Sequence, residues 1–295
     1  MRAFAKETLQ LATIAYRIGT ETAADCPDPQ NITGLVMHDL SSYDRRVRPA
    51  ISRAFSLGAG IGVLEVVPGS AAERAGLRTD DEILSVNGVR VRDPAAVDEP
   101  RKSSRRLETF SRDLQATLSN GPAELEIRRR GAVVRTSLTG ELGCGGDLLL
   151  SDSRERNAWS DGSHVVVTTA MMRLARSDDE LAFVVAHEMA HNILGHSSSS
   201  KRGIFGVRLG GKREEVAADY MAVWMMTEGG YKAEGGLSFL RTVRRRLWWN
   251  VSLDHPSFGR RIRTVSGAIA MAANSPLWAR AHHDLAATAK GSDQL

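Results

Sequence analysis

The stretch Ser177–His196, SDDELAFVVAHEMAHNILGH, decides how the rest of the chain is read. Ser177 followed three residues later by Glu180, just ahead of an apolar run, is the pattern of a capped helix start. Leu181, Val184, Val185, Ala186, Met189, Ala190 and Ile193 predict a largely buried helix, and Gly195 suits its stop. Inside it lies His187-Glu188-Met189-Ala190-His191. Residues four apart share a helix face, so both imidazoles project the same way. Two such imidazoles can hold one Zn²⁺, with Glu188 beside an open coordination position, placed to take a proton from a water molecule. The plain alternative is a chance match on a helix whose histidines are surface or satisfied core residues.

A third ligand in the right place weighs against chance. Glu214-Glu215-Val216-Ala217-Ala218-Asp219-Tyr220 is helical in composition and ends at Gly229-Gly230. Glu215 and Asp219 share a face, which offers one carboxylate for the metal and another for the far nitrogen of a ligand histidine. Glu214 competes, but four residues on it meets Ala218 and has no orienting partner. The expected centre is therefore one Zn²⁺ per chain on His187, His191 and Glu215, with Asp219 behind them.

These motifs resemble the gluzincin metallopeptidases of the HtpX, CAAX-prenyl-protease and BepA group. The resemblance runs from about Cys144 to Asn274 and rests on four motifs in order. They are Asn157-Ala158-Trp159 with Asp161-Gly162 before the strand Val165–Thr168, HEMAH with His196, ExxAD at Glu215–Asp219, and His255-Pro256 with Arg260-Arg261-Ile262. It implies a zinc endopeptidase fold with Glu188 as general base, and an edge strand above the metal helix, read here as Val165–Thr168, pairing with substrate backbone. It also places His255 near the zinc, as an oxyanion donor or as a plug in the fourth position; Tyr220 and Arg261 are other possible donors. His196 fits the family spacing but falls one residue beyond the ligand face, so it is not taken as a ligand.

Upstream, Leu57–Gly140 has another texture. Gly60-Ile61-Gly62-Val63 enters a strand, Pro68-Gly69-Ser70 turns, Ala71–Ala75 makes a short helix, and Asn87-Gly88 marks a hairpin. The order resembles the PDZ domains of bacterial envelope proteases, with Ala71 and Asp80 as departures from the pattern. That resemblance implies that Gly60, Ile61, Gly62 and Val63 offer backbone N–H groups to a peptide C-terminus, which then pairs with the strand edge. Leu107, Phe110, Leu114 and Leu118 share a helix face that would wall the groove. The Arg101–Arg106 run and the Arg128-Arg129-Arg130 turn read as solvated.

At 42% hydrophobic, the 295 residues can fill two modest cores. The expected fold is α+β: a mostly helical zincin-type core with a small edge sheet, plus an inserted PDZ, β-sandwich-like with two helices. The expected domains are 1–56, an N-terminal helical part of the peptidase unit; 57–140, the PDZ; and 141–295, the metallopeptidase core. No apolar run is long enough to span a bilayer, and the amphipathic Met1–Tyr16 lacks the unbroken core of a signal peptide. A net charge of +4 suits solubility rather than nucleic acid, even with Arg244-Arg245-Arg246 beside Trp248-Trp249 in a helix expected over Leu237–Trp249. Cys26 and Cys144, each alone in a loop, fit a single disulfide in an oxidising compartment, with two cytosolic thiols as the alternative. Ser197–Gly211 is read as a connector or a lid, and Ser257–Ala273 and Pro276–Ala289 as helices. The chain is thus expected to be a soluble endopeptidase of the bacterial periplasm or envelope, cleaving unfolded proteins or those with exposed C-termini in quality control. The competing reading is a PDZ-based adaptor or chaperone with a structural zinc site. Oligomeric state and physiological substrate stay open.

Overall fold

A computed structural model describes residues 2–91, 93, 101–144, 147–196, 211–246 and 258–274. His255, the Ser197–Gly210 part of the connector, Trp248-Trp249 and the helix expected over Pro276–Ala289 lie outside the described residues. The fold is α+β, in two compact units: Met1–Tyr16 with Gln30–Leu142, and Arg17–Pro29 with Gly143–Leu295.

In the first unit, helix α1 (Arg2–Glu21, shared with the second unit from Arg17 on) is followed by β1 (Gln30–Ile32), β2 (Leu35–His38), α2 (Arg48–Phe55) and β3 (Ile61–Val66). Then come α3 (Ala71–Arg74), β4 (Glu82–Val86), β5 (Val89–Arg90), α4 (Arg105–Ser119), β6 (Ala123–Arg129), β7 (Ala132–Leu138) and β8 (Glu141–Gly143). The main sheet runs β2-β3-β4-β6-β7, antiparallel throughout, with β5 on β4. Alternation along β3 sends Ile61 and Val63 to one face and Leu64 to the other. The first face packs with Ile83, Leu125 and Ile127 against Phe110, Leu114 and Leu118 of α4. The second is covered by Ala5, Leu40, Ile51 and Phe55.

That second layer corrects the expected division. Residues 30–56, assigned by sequence to the peptidase part, belong with the sheet: β2 pairs with β3, and Ile51 and Phe55 bury Leu64. The arginines of the β6–β7 turn are not simply solvated either. Arg128 pairs with the buried Glu82, and Arg129 with the buried Asp81 at 2.6 Å.

The second unit holds β9 (Asp147–Ser151), β10 (Ala158–Ser160), β11 (His164–Thr168), α5 (Thr169–Met172), α6 (Asp178–Ile193), α7 (Gly211–Glu228), α8 (Glu234–Arg246) and α9 (Phe258–Asn274). Its sheet runs β10-β11-β9. The strand expected at the edge, Val165–Thr168, is therefore the middle one, and β10 lies at the edge. Ser177 caps α6 by accepting from Glu180 N, and the helix buries Leu181 to His187 almost without a break. Cys26 and Cys144 are joined by a disulfide with their Cα atoms 5.5 Å apart. No helix among the described residues is long and apolar enough to cross a membrane.

The helix expected to follow Gly235-Gly236 contains them instead. A Cβ on Gly235 would stand 2.5 Å from the backbone carbon of Asp179, and one on Gly236 would stand 2.6 Å from the Phe183 ring. The two glycines let the backbone of α8 lie directly on the first turns of α6. Gly267, on α9, has open space where its Cβ would go. Gly235→Ala should therefore lose about 1–2 kcal/mol by overpacking against backbone that cannot swing aside, whereas Gly267→Ala should gain about 0.5–1 kcal/mol. Denaturant midpoints at unchanged m-value measure both.

Candidate metal centre

Three helices build the centre. α6 brings His187 and His191, α7 brings Glu215 and Asp219, and α9 brings Arg261. The two Nε2 atoms are 3.2 Å apart; Glu215 Oε2 lies 3.4 Å from His187 Nε2, and Oε1 lies 3.3 Å from His191 Nε2. Whether this triangle fits a metal follows from geometry. A tetrahedral zinc with bonds near 2.05 Å holds its ligand atoms about 3.3 Å apart. Each separation is near that figure, the two to Glu215 being made by different oxygens of its carboxylate, and one donor atom from each residue lies within 4.8 Å of the others, a set that could hold a metal ion. Glu214 is half-buried and is not part of the cluster.

Electrostatics support the same reading. Burial and the charge of Arg261 both work against a protonated His187, yet hydrogen bonds to Asp219 and Glu215 outweigh them and raise its pKa to about 10. His187 Nδ1 sits 3.1 Å from Asp219 Oδ1, as expected for the residue behind the ligand. Asp219 has no exposed surface, and burial alone would raise its pKa; the Arg261 guanidinium reverses this through bonds of 2.8 and 2.5 Å and holds it low. Arg261 also lies 3.6 Å from Glu215 and feels the charge of Glu188. Its two bonds to Asp219 make it a brace for that carboxylate. Tyr220, the other suggested donor, bonds Met271.

Glu188 is half-buried on α6, one residue from His187. His164 bonds Asp161 at 3.0 Å and takes no part in the cluster. Two neighbours take roles not assigned from the sequence, which sets His196 aside as a ligand and gives Asn192 no part. His196 places Nδ1 2.9 Å from His191 Nδ1. Asn192 accepts from Gly162 N at 2.7 Å and donates to His164 O at 3.1 Å, tying the β10–β11 turn to the end of α6.

The expected carboxylate loop of the first unit is overturned. Gly60, Ile61, Gly62 and Val63 are buried at the start of a strand flanked by β2 on one side and β4 on the other, leaving no edge for a peptide. The carboxylate received by Gly60 N–H is the chain's own Glu82, at 2.6 Å, while Arg106 donates to the carbonyls of Ala59 and Gly60. Among the described residues, the edges of this sheet are β2 and β7, and β2 is the one beside β3. Leu35 and Met37 on that strand and Leu107 on α4 are only partly buried where they pack on the core.

Residues 146–206 match peptidase family M48, and residues 62–99 match the PDZ domain. Among solved structures, the crystal structure of the HtrA3 PDZ domain bound to a phage-derived ligand (FGRWV) is 23% identical, covering 39% of this chain and 89% of that chain, with a TM-score of 0.28. No curated protein matches the chain. With the His187–His191–Glu215 cluster lying partly inside the first match, the chain is similar to family M48 metallopeptidases in its second unit and to PDZ domains in its first.

Proposed function

We propose that the chain is a zinc-dependent endopeptidase whose first unit binds peptide C-termini. The observation that carries this is the triangle of His187, His191 and Glu215 with a carboxylate, Glu188, next to it in sequence and not among the ligands. A structural zinc site closes its four positions with protein ligands and has no need of that carboxylate. Bound zinc would polarise a scissile carbonyl and acidify water. Glu188 takes the proton from the attacking water and hands it to the leaving amine. Asp219, braced by Arg261, keeps the proton of His187 on Nδ1 and leaves Nε2 for the metal.

Substrate backbone is held by β10, the edge strand packed beside α6. Asn157 O and Asp161 N bond inward to β11, so by alternation the N–H and C=O of Ala158 turn to the open edge. Main-chain pairing of this kind suits cleavage of unfolded chains with little dependence on side chains. The Cys26–Cys144 bridge supports an oxidising compartment such as the periplasm, and with it a role in envelope protein quality control. In the first unit, a peptide adding to β2 would meet Leu35, Met37 and Leu107, which suits an apolar C-terminal residue.

Glu188→Gln should keep one zinc per chain while casein cleavage falls by roughly 10²–10⁴-fold; undiminished turnover would refute the general-base role. Glu215→Gln should lose metal by elemental analysis, whereas Glu214→Gln should not. For the first unit, Met37→Glu in the full chain should weaken binding of a fluorescent peptide with a free apolar C-terminus by about tenfold or more. Val133→Glu, on the strand at the far end of the sheet, should leave that binding unchanged.

A further inference from the structure

The two ligand histidines are supported differently. His187 backs onto a carboxylate, as ligand histidines commonly do. His191 backs onto another imidazole, that of His196. The contact follows from how α6 ends. Gly195 takes φ +69°, a left-handed turn that suits glycine, and its N–H bonds Asn192 O at 3.1 Å. The next N–H, that of His196, bonds His191 O at 3.0 Å. These are the paired bonds of a Schellman stop, which brings the second residue past the helix against the third from its end. Those two residues are His196 and His191. An apolar pair often makes this contact; here it is two buried or half-buried rings, centroids 5.0 Å apart, meeting nitrogen to nitrogen at 2.9 Å.

We infer that His196 is a positioning residue for the metal centre: its Nδ1 lone pair accepts the Nδ1–H of His191 and so fixes the tautomer and ring orientation that turn Nε2 toward the metal. This rests on the zinc reading above. If Nε2 of His191 offers its lone pair to the ion, the ring proton must sit on Nδ1. Its partner 2.9 Å away must then be an acceptor, so His196 carries its own proton on Nε2. His196 does not itself join the ligand cluster.

The test measures metal affinity, separately from turnover. Zinc competition against a chromophoric chelator, on the purified full chain, should show His196→Ala binding 10–100-fold more weakly. His196→Asn, whose side-chain oxygen falls near the lost nitrogen and can accept the same bond, should return to within about threefold of the parent. Cobalt-loaded His196→Ala should show an altered visible spectrum. Thermal unfolding of the metal-free proteins separates a general loss of fold, which would lower the melting point without this pattern. Imidazole ¹⁵N NMR of the unmutated, zinc-loaded chain needs no variant and should find the proton of His191 on Nδ1 and that of His196 on Nε2. Parent-like zinc affinity in His196→Ala, no recovery in His196→Asn, or the opposite tautomers would overturn the inference. A parent chain that binds no zinc would instead overturn the zinc reading.

Discussion

The buried ion pair between Arg261 and Asp219 is the interaction on which the second unit turns. It brings α9 to α7, and through His187 it reaches α6, so one guanidinium sets the relation of three helices. It also explains how so many acids share a dry space. Glu215 and Asp219 are buried and Glu188 is close enough for Arg261 to feel it. Three carboxylates against one guanidinium leave a deficit of two positive charges, which a divalent ion would fill, bringing the local sum to zero. Burial and the Arg261 charge oppose a proton on His187, but its hydrogen bonds to Asp219 and Glu215 raise its pKa all the same.

Holding that geometry requires a stiff metal helix. α6 buries nearly every residue from Glu180 to Ala190 and takes α8 onto its first turns through Gly235 and Gly236. The disulfide adds less than its 118-residue span suggests. Closing a chain of about 100 residues is worth about 4.7 kcal/mol in the loop-entropy picture. β1 already pairs with β8, however, so while the first unit stays folded the loop closed by the bridge is short. Its contribution is then nearer the roughly 3 kcal/mol of a 15-residue loop, or below it.

What was legible in the sequence was local. His187 with His191 and Glu215 with Asp219 are each one helical turn apart, and a helix fixes that relation without help from the rest of the fold. The hairpins at Asn87-Gly88 and Arg130-Gly131 were legible for the same reason. What failed was everything that depends on the next strand over. Gly60–Val63 has the composition of a carboxylate-binding loop, but whether its strand has a free edge is decided by β2, which begins 25 residues earlier in the chain. Its amide is claimed by Glu82, a residue that looks like an ordinary strand position. Val165–Thr168 fails alike: its apolar run fits a buried central strand, and only the pairing with β9 and β10 shows that it is not the edge. His196 lay between these cases. A ligand search by i and i+4 passes over it, whereas the pattern of Gly195 followed by histidine, read as a helix stop, points back to His191.

The end of α6 is thus more than a terminus. Within six residues it carries the proposed metal ligand His191, the Asn192 side chain that grips the β10–β11 turn, and the stop that returns His196 to His191. Asn192 bonds both Gly162 N and His164 O, at opposite sides of that turn, so β10 cannot slide along α6 without breaking two hydrogen bonds. If a substrate chain pairs with β10, its register is then counted from the same helical turn that presents His191. Fraying of this one turn would displace metal and substrate together, and neither would be left competent alone. Apolar packing of α6 stops short of Asn192, since Met189 and Ala190 are its last buried positions. The polar bonds of Asn192 and His196 begin where hydrophobic burial runs out, at the point where the proposed chemistry requires the helix not to move.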